Sequence, residues 1–294
     1  MTFLPFLHLN NKHDEYKKKT WFITGATKGI GYALAKLLLN NGHNVIATSR
    51  SSKNLKEAFN APLNSLLPVE VDLESEESIA LAVIKGIEHF GQIDCLVNNA
   101  GYGLLGGIEE ASKKEVQQNF DVNVFGLLNV TRAVLPYMRK AGTGHIFNLS
   151  SVFGLIAGAG WGIYCATKFA VEGLSEALQQ EVQPFGIKVT IIEPGYFRTS
   201  FLESGSIITP QKAIDAYSAL TEIKRRHLED ITGTQIGDPV KAAQVIYNTA
   251  ALPEPPLRLL LGSDALHYAN YKVSLLQQEI EANKEITLST DFVL

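Results

Sequence analysis

The stretch Thr20-Trp-Phe-Ile-Thr-Gly-Ala-Thr-Lys-Gly-Ile-Gly31 begins as a short apolar strand and ends in glycines at positions 25, 29 and 31. An apolar-periodic segment from Ile30 to Leu39 follows at once and stops at Asn40-Asn-Gly42, which reads as a helix with its terminator. Strand, glycine-rich turn and helix make a phosphate site. Glycine lets backbone approach an anion, and the free amides and positive dipole end of the helix face its charge. The spacing Gly-x-x-x-Gly-x-Gly departs from the Gly-x-Gly-x-x-Gly dinucleotide fingerprint, and taken alone it also suits a structural turn with glycines at positive φ.

Beyond the helix, Asn44-Val-Ile-Ala-Thr-Ser-Arg50 reads as a second strand whose end falls 19 residues after Gly31. In a dinucleotide fold an acidic residue there holds a ribose 2′-hydroxyl, whereas an arginine accommodates a 2′-phosphate. Here the residue is Arg50, and Lys28 and Ser49 add a second cation and a hydroxyl. Each charge would also suit solvated surface. Two cations converging on one pocket favour NADP(H) over NAD(H).

In Trp161-Gly-Ile-Tyr-Cys-Ala-Thr-Lys-Phe-Ala170, helical spacing puts the Tyr164 phenol and the Lys168 ammonium side by side. A neighbouring cation lowers a tyrosine pKa from its usual value of about 10, which would make Tyr164 a proton donor and acceptor near neutral pH. Pairs of this kind also decorate amphipathic helix surfaces by chance, so the rest of the chain has to carry the reading.

Over roughly residues 19 to 200 the chain resembles the short-chain dehydrogenase/reductase family. Thr24-Gly25-x-x-x-Gly29-x-Gly31 is similar to the family's cofactor motif, with Thr27, Lys28 and Ile30 in the same turn. Asp72, closing the strand Leu67-Pro-Val-Glu-Val-Asp72, is similar to the residue that contacts the adenine. Asn98-Asn-Ala-Gly101, after the strand Ile93-Asp-Cys-Leu-Val97, resembles the element that closes on the adenine side, which puts Asn99 and Gly101 on the cofactor. Asn123 matches the active-site asparagine. Ser151, 13 residues before Tyr164, matches the catalytic serine better than Ser150 does. Pro194-Gly195 with Thr199 matches the segment that grips the nicotinamide carboxamide.

The resemblance implies a mechanism. Tyr164 would protonate a carbonyl oxygen as hydride arrives from the nicotinamide, and Ser151 would hydrogen-bond that oxygen as charge builds on it. Lys168 would lower the Tyr164 pKa and bind the nicotinamide ribose, and Asn123 would hold a water linking Lys168 to solvent. No metal is called for. Read as residues alone, Asn123 also suits a satisfied core amide and Asp72 a helix cap.

Alternating strands and helices imply an α/β, doubly wound parallel sheet, Rossmann-like with about seven strands and helices on both faces. No linker cuts the chain, so residues 19–294 are expected as one domain, preceded by a mobile extension over residues 1–18. Ser112-Lys-Lys-Glu115 is a capping box opening a long helix towards Lys140, which Pro136 should bend or interrupt. A helix from Gly158 to Val182 carries the Tyr/Lys pair, and Lys188-Val-Thr-Ile-Ile192 is the strand leading to Pro194. By resemblance these two long helices pair with their copies in a homodimer or homotetramer.

Residues from about 200 to 237 are read as a substrate-covering segment, with a helix starting near Thr209-Pro210. Asp238-Pro239 opens another helix. Arg258-Leu-Leu-Leu-Gly262 is read as a last buried strand and Ala265 to Ala282 as a terminal helix. Trp161, Tyr196, Phe197, Phe201 and Tyr217 would suit plain core or an apolar pocket, and the pocket reading points to a hydrophobic substrate.

Apolar residues make up 46%, charged residues 19%, and the net charge is −4, which gives no basic face for nucleic acid. The one basic cluster, Lys224-Arg-Arg-His227, is read as a solvated helix face. Two cysteines, Cys95 and Cys165, give no disulfide framework, which fits a cytoplasmic protein. The apolar residues of Met1 to Leu9 are too few for a membrane span, and Gly154 to Val171 contains Lys168 and repeated glycines, so no span is expected.

The function expected from these features is that of an NADP(H)-dependent oxidoreductase, transferring hydride between the nicotinamide and a small-molecule carbonyl or secondary alcohol, with net carbonyl reduction. Two other readings stay open: an epimerase or dehydratase of the same fold, and a cofactor-sensing protein without catalysis.

Overall fold

The computed structural model describes residues 18–59, 64–202 and 205–292, so all but the last residue of the expected N-terminal extension lies outside the described residues. In chain order the elements are β1 (Thr20–Ile23), α1 (Gly29–Asn40), β2 (Asn44–Ser49), α2 (Ser52–Ala58), β3 (Leu66–Glu70), α3 (Glu76–Phe90) and β4 (Cys95–Asn98). Next come β5 (Gly103–Leu104), α4 (Lys113–Phe120), α5 (Leu127–Ala141), β6 (Gly144–Leu149), α6 (Gly162–Val182) and β7 (Ile187–Pro194). The chain continues through β8 (Ile207–Ile208), α7 (Ser218–Arg225), α8 (Pro239–Thr249), β9 (Arg258–Leu261), α9 (Ser263–Ala282) and α10 (Lys284–Leu288).

Seven strands form one parallel sheet in the order β3-β2-β1-β4-β6-β7-β9, and β5 pairs with β8 in a small second sheet. Alternation along β1 sends Trp21 and Ile23 to a core with Leu34 and Leu38 of α1 and Ile246 of α8. Phe22 goes to the opposite core, with Val83 of α3 and Val130, Val134 and Met138 of α5. Burial on both faces is why these strands are continuous apolar runs. The chain winds outward from β1 in one direction and from β4 in the other, leaving a crevice at their carboxyl ends, where doubly wound sheets bind ligands.

Several boundaries differ from the sequence reading. The capping box at Ser112 and Glu115 forms as expected. The long helix it opens passes through a π-helical turn, Asp121–Gly126, before α5, a local widening often found at functional sites. Pro136 does not end α5, because it sits on the exposed side of the helix, and α5 runs on to Ala141. The helix of the Tyr/Lys pair begins at Gly162 and not at Gly158. β9 is an edge strand with Arg258 exposed, not a buried one, since among the described residues only β7 flanks it. No helix among the described residues is long and apolar enough to cross a membrane.

The covering segment folds differently as well. No helix starts at Thr209-Pro210. Pro210 packs against Gly106, and the next amides are taken by carboxylates: Gln211 N donates to Glu115 Oε1 (2.9 Å) and Ile214 N to Glu110 Oε1 (3.2 Å). Helix α7 begins only at Ser218, and a π-helical turn, Arg226–Ile231, follows it. The basic cluster is solvated only at Arg225 and Arg226. Lys224 Nζ donates to the buried Glu110 carboxylate at 2.7 Å, Arg225 is gripped by Glu222 and Asp230, and His227 is buried. The Lys224 hydrogen bond, followed by the Gly107 amide, holds the Glu110 carboxyl down to about 2.

Candidate active site

The crevice at the ends of β1 and β4 opens into a cavity of about 590 Å³. One end is built by the turn between β1 and α1. Gly25 and Gly29 adopt φ of +67° and +62°, a region in which a Cβ is strained. Gly31 has ordinary φ but no room: a Cβ there would stand 2.9 Å from the Gly25 carbonyl oxygen and inside contact distance of Asn99 Nδ2. That amide donates to the carbonyls of Thr24 and Gly25, both at 2.9 Å. The Thr24 hydroxyl accepts from the amides of Asn99 and Ala100 at 3.0 Å. The β1 turn and the loop after β4 are therefore stitched into one cradle with amides and an α-helix N-terminus facing the cavity, the shape and polarity a dinucleotide phosphate requires.

Thr27, Lys28, Gly29, Ile30, Ser49, Arg50, Asp72, Asn99, Gly101, Pro194, Gly195 and Thr199 all line the cavity, with Gly25. Thr24 and Gly31 do not; they shape the cradle from behind. Lys28, Ser49 and Arg50 line the same cavity, and the Ser49 hydroxyl is engaged by Ser51 N at 3.2 Å. Asp72 is not the helix cap, which is Ser75; its carboxylate accepts from Glu74 N at 3.0 Å in the turn before α3. Ser51, Asn54, Val71, Leu73, Tyr102 and Val122 also line this end. They were missed because nothing in their local sequence marks them; the sheet order brings them there.

At the other end stand Ser151, Tyr164 and Lys168. Ser151 has an extended backbone, and its Oγ accepts from Phe153 N at 3.1 Å. Its hydroxyl donates to the Pro194 carbonyl at 3.5 Å, and it lies near enough to the Tyr164 phenol to favour the phenolate. Ser150 also lines the cavity, but its hydroxyl oxygen is buried in the protein. Lys168 Nζ, one helical turn from Tyr164, donates to the Leu149 carbonyl at 2.7 Å and lies 5.7 Å from the Tyr164 ring centroid. Burial pushes the Lys168 ammonium down to about 8, with the Glu172 charge opposing. Tyr164 departs from expectation: burial raises its pKa, and the Ser151 hydroxyl only partly offsets this. Packing against Trp161 (5.6 Å) and Phe201 (5.8 Å) contributes to that burial and keeps the group a phenol.

Asn123 does not line the cavity. It sits in the π-helical turn, buried, with Oδ1 accepting from Tyr102 N (3.0 Å) and Nδ2 donating to Tyr102 O (2.9 Å) and Thr167 Oγ1 (3.1 Å). A Cβ on Gly101 would stand 3.1 Å from Asn123 Oδ1 and 3.7 Å from Lys168 Nζ, so Asn123 backs the loop that faces Lys168. Trp161, Tyr196, Phe197 and Phe201 line the cavity, with Phe153 and Leu202. Tyr217 does not: its hydroxyl donates to Glu109 on the outer surface.

Beneath this end lies a buried carboxyl pair. Glu172, one turn after Lys168, and Glu193, next to Pro194, flank Arg258 Nε at 3.5 and 3.4 Å. Burial and then the Glu172 charge push Glu193 up to about 8. A carboxyl raised in the folded state keeps a proton that the unfolded chain gives up, so stability falls as pH rises from about 4.5 to about 8. Glu193→Gln is expected to flatten that slope in thermal melts taken across this range; an unchanged slope would place the titration elsewhere.

Among known proteins, a family model described as short chain dehydrogenase matches residues 19–206. A 3-ketodihydrosphingosine reductase from Bacteroides thetaiotaomicron is 40% identical over 243 residues, covering 82% of this chain and 86% of its own. The crystal structure of a short-chain dehydrogenase from Streptomyces avermitilis superposes with a TM-score of 0.87 at 36% identity, covering 94% of this chain and 100% of that one. An alcohol dehydrogenase from the archaeon Thermococcus sibiricus, complexed with 5-hydroxy-NADP, gives a TM-score of 0.68 at 25% identity and covers 83% of this chain and 96% of its own. With the cradle, the Ser-Tyr-Lys arrangement and these matches in agreement, the chain belongs to the short-chain dehydrogenase family of oxidoreductases.

Proposed function

We propose that the cleft binds NADP(H) in preference to NAD(H) and reduces the carbonyl group of a hydrophobic small molecule. The observation that carries this reading is that Ser151, Tyr164 and Lys168 line one cavity with the glycine cradle, Tyr164 being packed among the rings of Phe153, Trp161 and Phe201. The cofactor, when bound, supplies the hydride. Tyr164, held as a phenol by burial, gives its proton to the carbonyl oxygen, and Ser151 donates to the same oxygen as charge gathers on it. Lys168 keeps a cation one turn below and offers its remaining donors to the cofactor's ribose. Thr199 and Pro194-Gly195 wall the nicotinamide end. Asn123 has both amide protons engaged, so a water on the Lys168 side would have to donate to its carbonyl oxygens.

Arg50 and Lys28 support the preference for a 2′-phosphate, since charge-assisted hydrogen bonds are the strong ones. Arg50→Asp is expected to lower the NADP/NAD ratio of kcat/KM by about tenfold to a hundredfold, the worth of one hydrogen bond to a charged group. An unchanged ratio would remove Arg50 from the cofactor site. The free thiols of Cys95 and Cys165 suit a cytoplasmic location. Phe125 and Phe169, exposed at 45% and 44% on the two long helical segments, suit pairing with a second copy.

The direct test is absorbance at the reduced-nicotinamide band with NADPH or NADH against aldehydes, aliphatic and aromatic ketones, diketones, steroids and retinal. NADPH-dependent loss with any of them is expected. Tight NADPH binding with no oxidation across the panel would overturn the reductase reading.

A further inference from the structure

His227, in the π-helical turn of the covering segment, is buried against the reaction end of the cleft. Its Nδ1 lies 2.8 Å from the Ile223 carbonyl oxygen, which can only accept, so Nδ1 carries the proton. The Trp161 indole N–H, which can only donate, points at Nε2 from 3.2 Å, so Nε2 presents its lone pair. These two partners fix one neutral tautomer. The Tyr196 hydroxyl lies 2.9 Å from the same Nε2. Two donors therefore converge on one lone pair, and one proton is in surplus.

The surplus falls to Tyr196. The Trp161 indole cannot turn away, because its ring is packed edge-on to both Tyr164 (5.6 Å) and His227 (5.2 Å). A hydroxyl proton turns by a single torsion, and Tyr196 lines the cavity beside Phe153 and Phe201. When it turns, Nε2 stays satisfied by Trp161, so no buried acceptor is stranded, a loss that would otherwise oppose the movement.

Accepting the cleft as a carbonyl-reducing site, we propose that Tyr196, positioned by His227, is a second anchor for the substrate, so that the pocket prefers carbonyl compounds bearing a second hydrogen-bond acceptor over matching monoketones. Ser151 and Tyr164 take the reacting oxygen; Tyr196 donates to the second one. His227 is a positioning residue in this scheme and touches no substrate.

The test is binding to the NADP⁺ complex, followed through the indole N–H resonance of Trp161, which Trp161→Phe distinguishes from that of Trp21. The probes are straight-chain diketones of one length, with the second carbonyl moved one carbon at a time, and the monoketone of that length. At least one diketone is expected to bind about five- to tenfold tighter, the worth of one net hydrogen bond. That advantage should vanish in Tyr196→Phe, so that the favoured diketone and the monoketone bind alike. It should survive His227→Gln, whose amide oxygen can still accept, and be lost in His227→Leu. Equal affinities across the series, or an advantage that persists in Tyr196→Phe, would overturn the proposal. A Tyr196-dependent advantage with no NADPH oxidation would uphold the anchor and overturn the reductase reading.

Discussion

Tyr164→Phe is expected to cut turnover at least about 10²-fold, the usual cost of a lost general acid, while NADPH affinity stays nearly unchanged. The two effects separate because the phenol stands at the reaction end of the cavity, with Ser151, Trp161 and Phe201, while the glycine cradle and Arg50 lie at the other. The substitution removes one oxygen and leaves the ring packing in place, so the variant should fold. Burial is the reason the loss cannot be made up by solvent: the same desolvation that keeps Tyr164 a phenol excludes water as a substitute acid. Turnover with the favoured ketone and NADPH, beside a fluorescence titration of NADPH, measures both quantities. Near-normal turnover would remove Tyr164 from the chemistry.

Gly31→Ala is expected to weaken NADPH binding by at least about tenfold and to lower the melting temperature. Alanine is the better helix former by about 1 kcal/mol, and Gly31 has no positive φ to lose, so helix propensity alone would make the change stabilising. Sterics oppose it. The new methyl group falls on Asn99 Nδ2, and overpacking of this kind costs about 1–3 kcal/mol. Moving Asn99 also releases the carbonyls of Thr24 and Gly25, which its amide holds at 2.9 Å. Asn99→Ala in the same chain should relieve the clash, so the double variant should lose less than the two singles summed. An unchanged melting temperature and affinity in Gly31→Ala would mean that the cradle yields easily.

Much of this was legible in the sequence because local chemistry and global position coincide. The apolar run, the three glycines and Arg50 all belong to one strand-turn-helix-strand unit, so their spacing alone places them together. Tyr164 and Lys168 share a helix face. Strand β6, by contrast, was not read as a strand. It starts Gly144-His145 and contains Asn148, polar residues that look out of place in a central strand. Their partners come from far along the chain: Thr190 for His145, and Asn98 and Ser175 for Asn148. Lys224 and His227 misled for the same reason. A basic tetrapeptide looks solvated until Glu110 and Trp161 arrive across more than sixty residues of sequence. The π-helical turn around Asn123 carries no local signature either, since it repeats neither a helical nor a strand period cleanly.

The carboxylates on the outer rim have a kinetic meaning. Glu109, Glu110 and Glu115 hold the cover through Tyr217, Lys224 and two backbone amides. All four grips fall within one short stretch of chain on the core side. They latch one edge of the cover, where parting it means breaking the buried Glu110–Lys224 pair, while His227 against Trp161 and Tyr196 and the β5–β8 pairing hold it elsewhere. On the proposed reductase reading, a cover that must unlatch there for product to leave would set an upper limit on turnover independent of the chemical step.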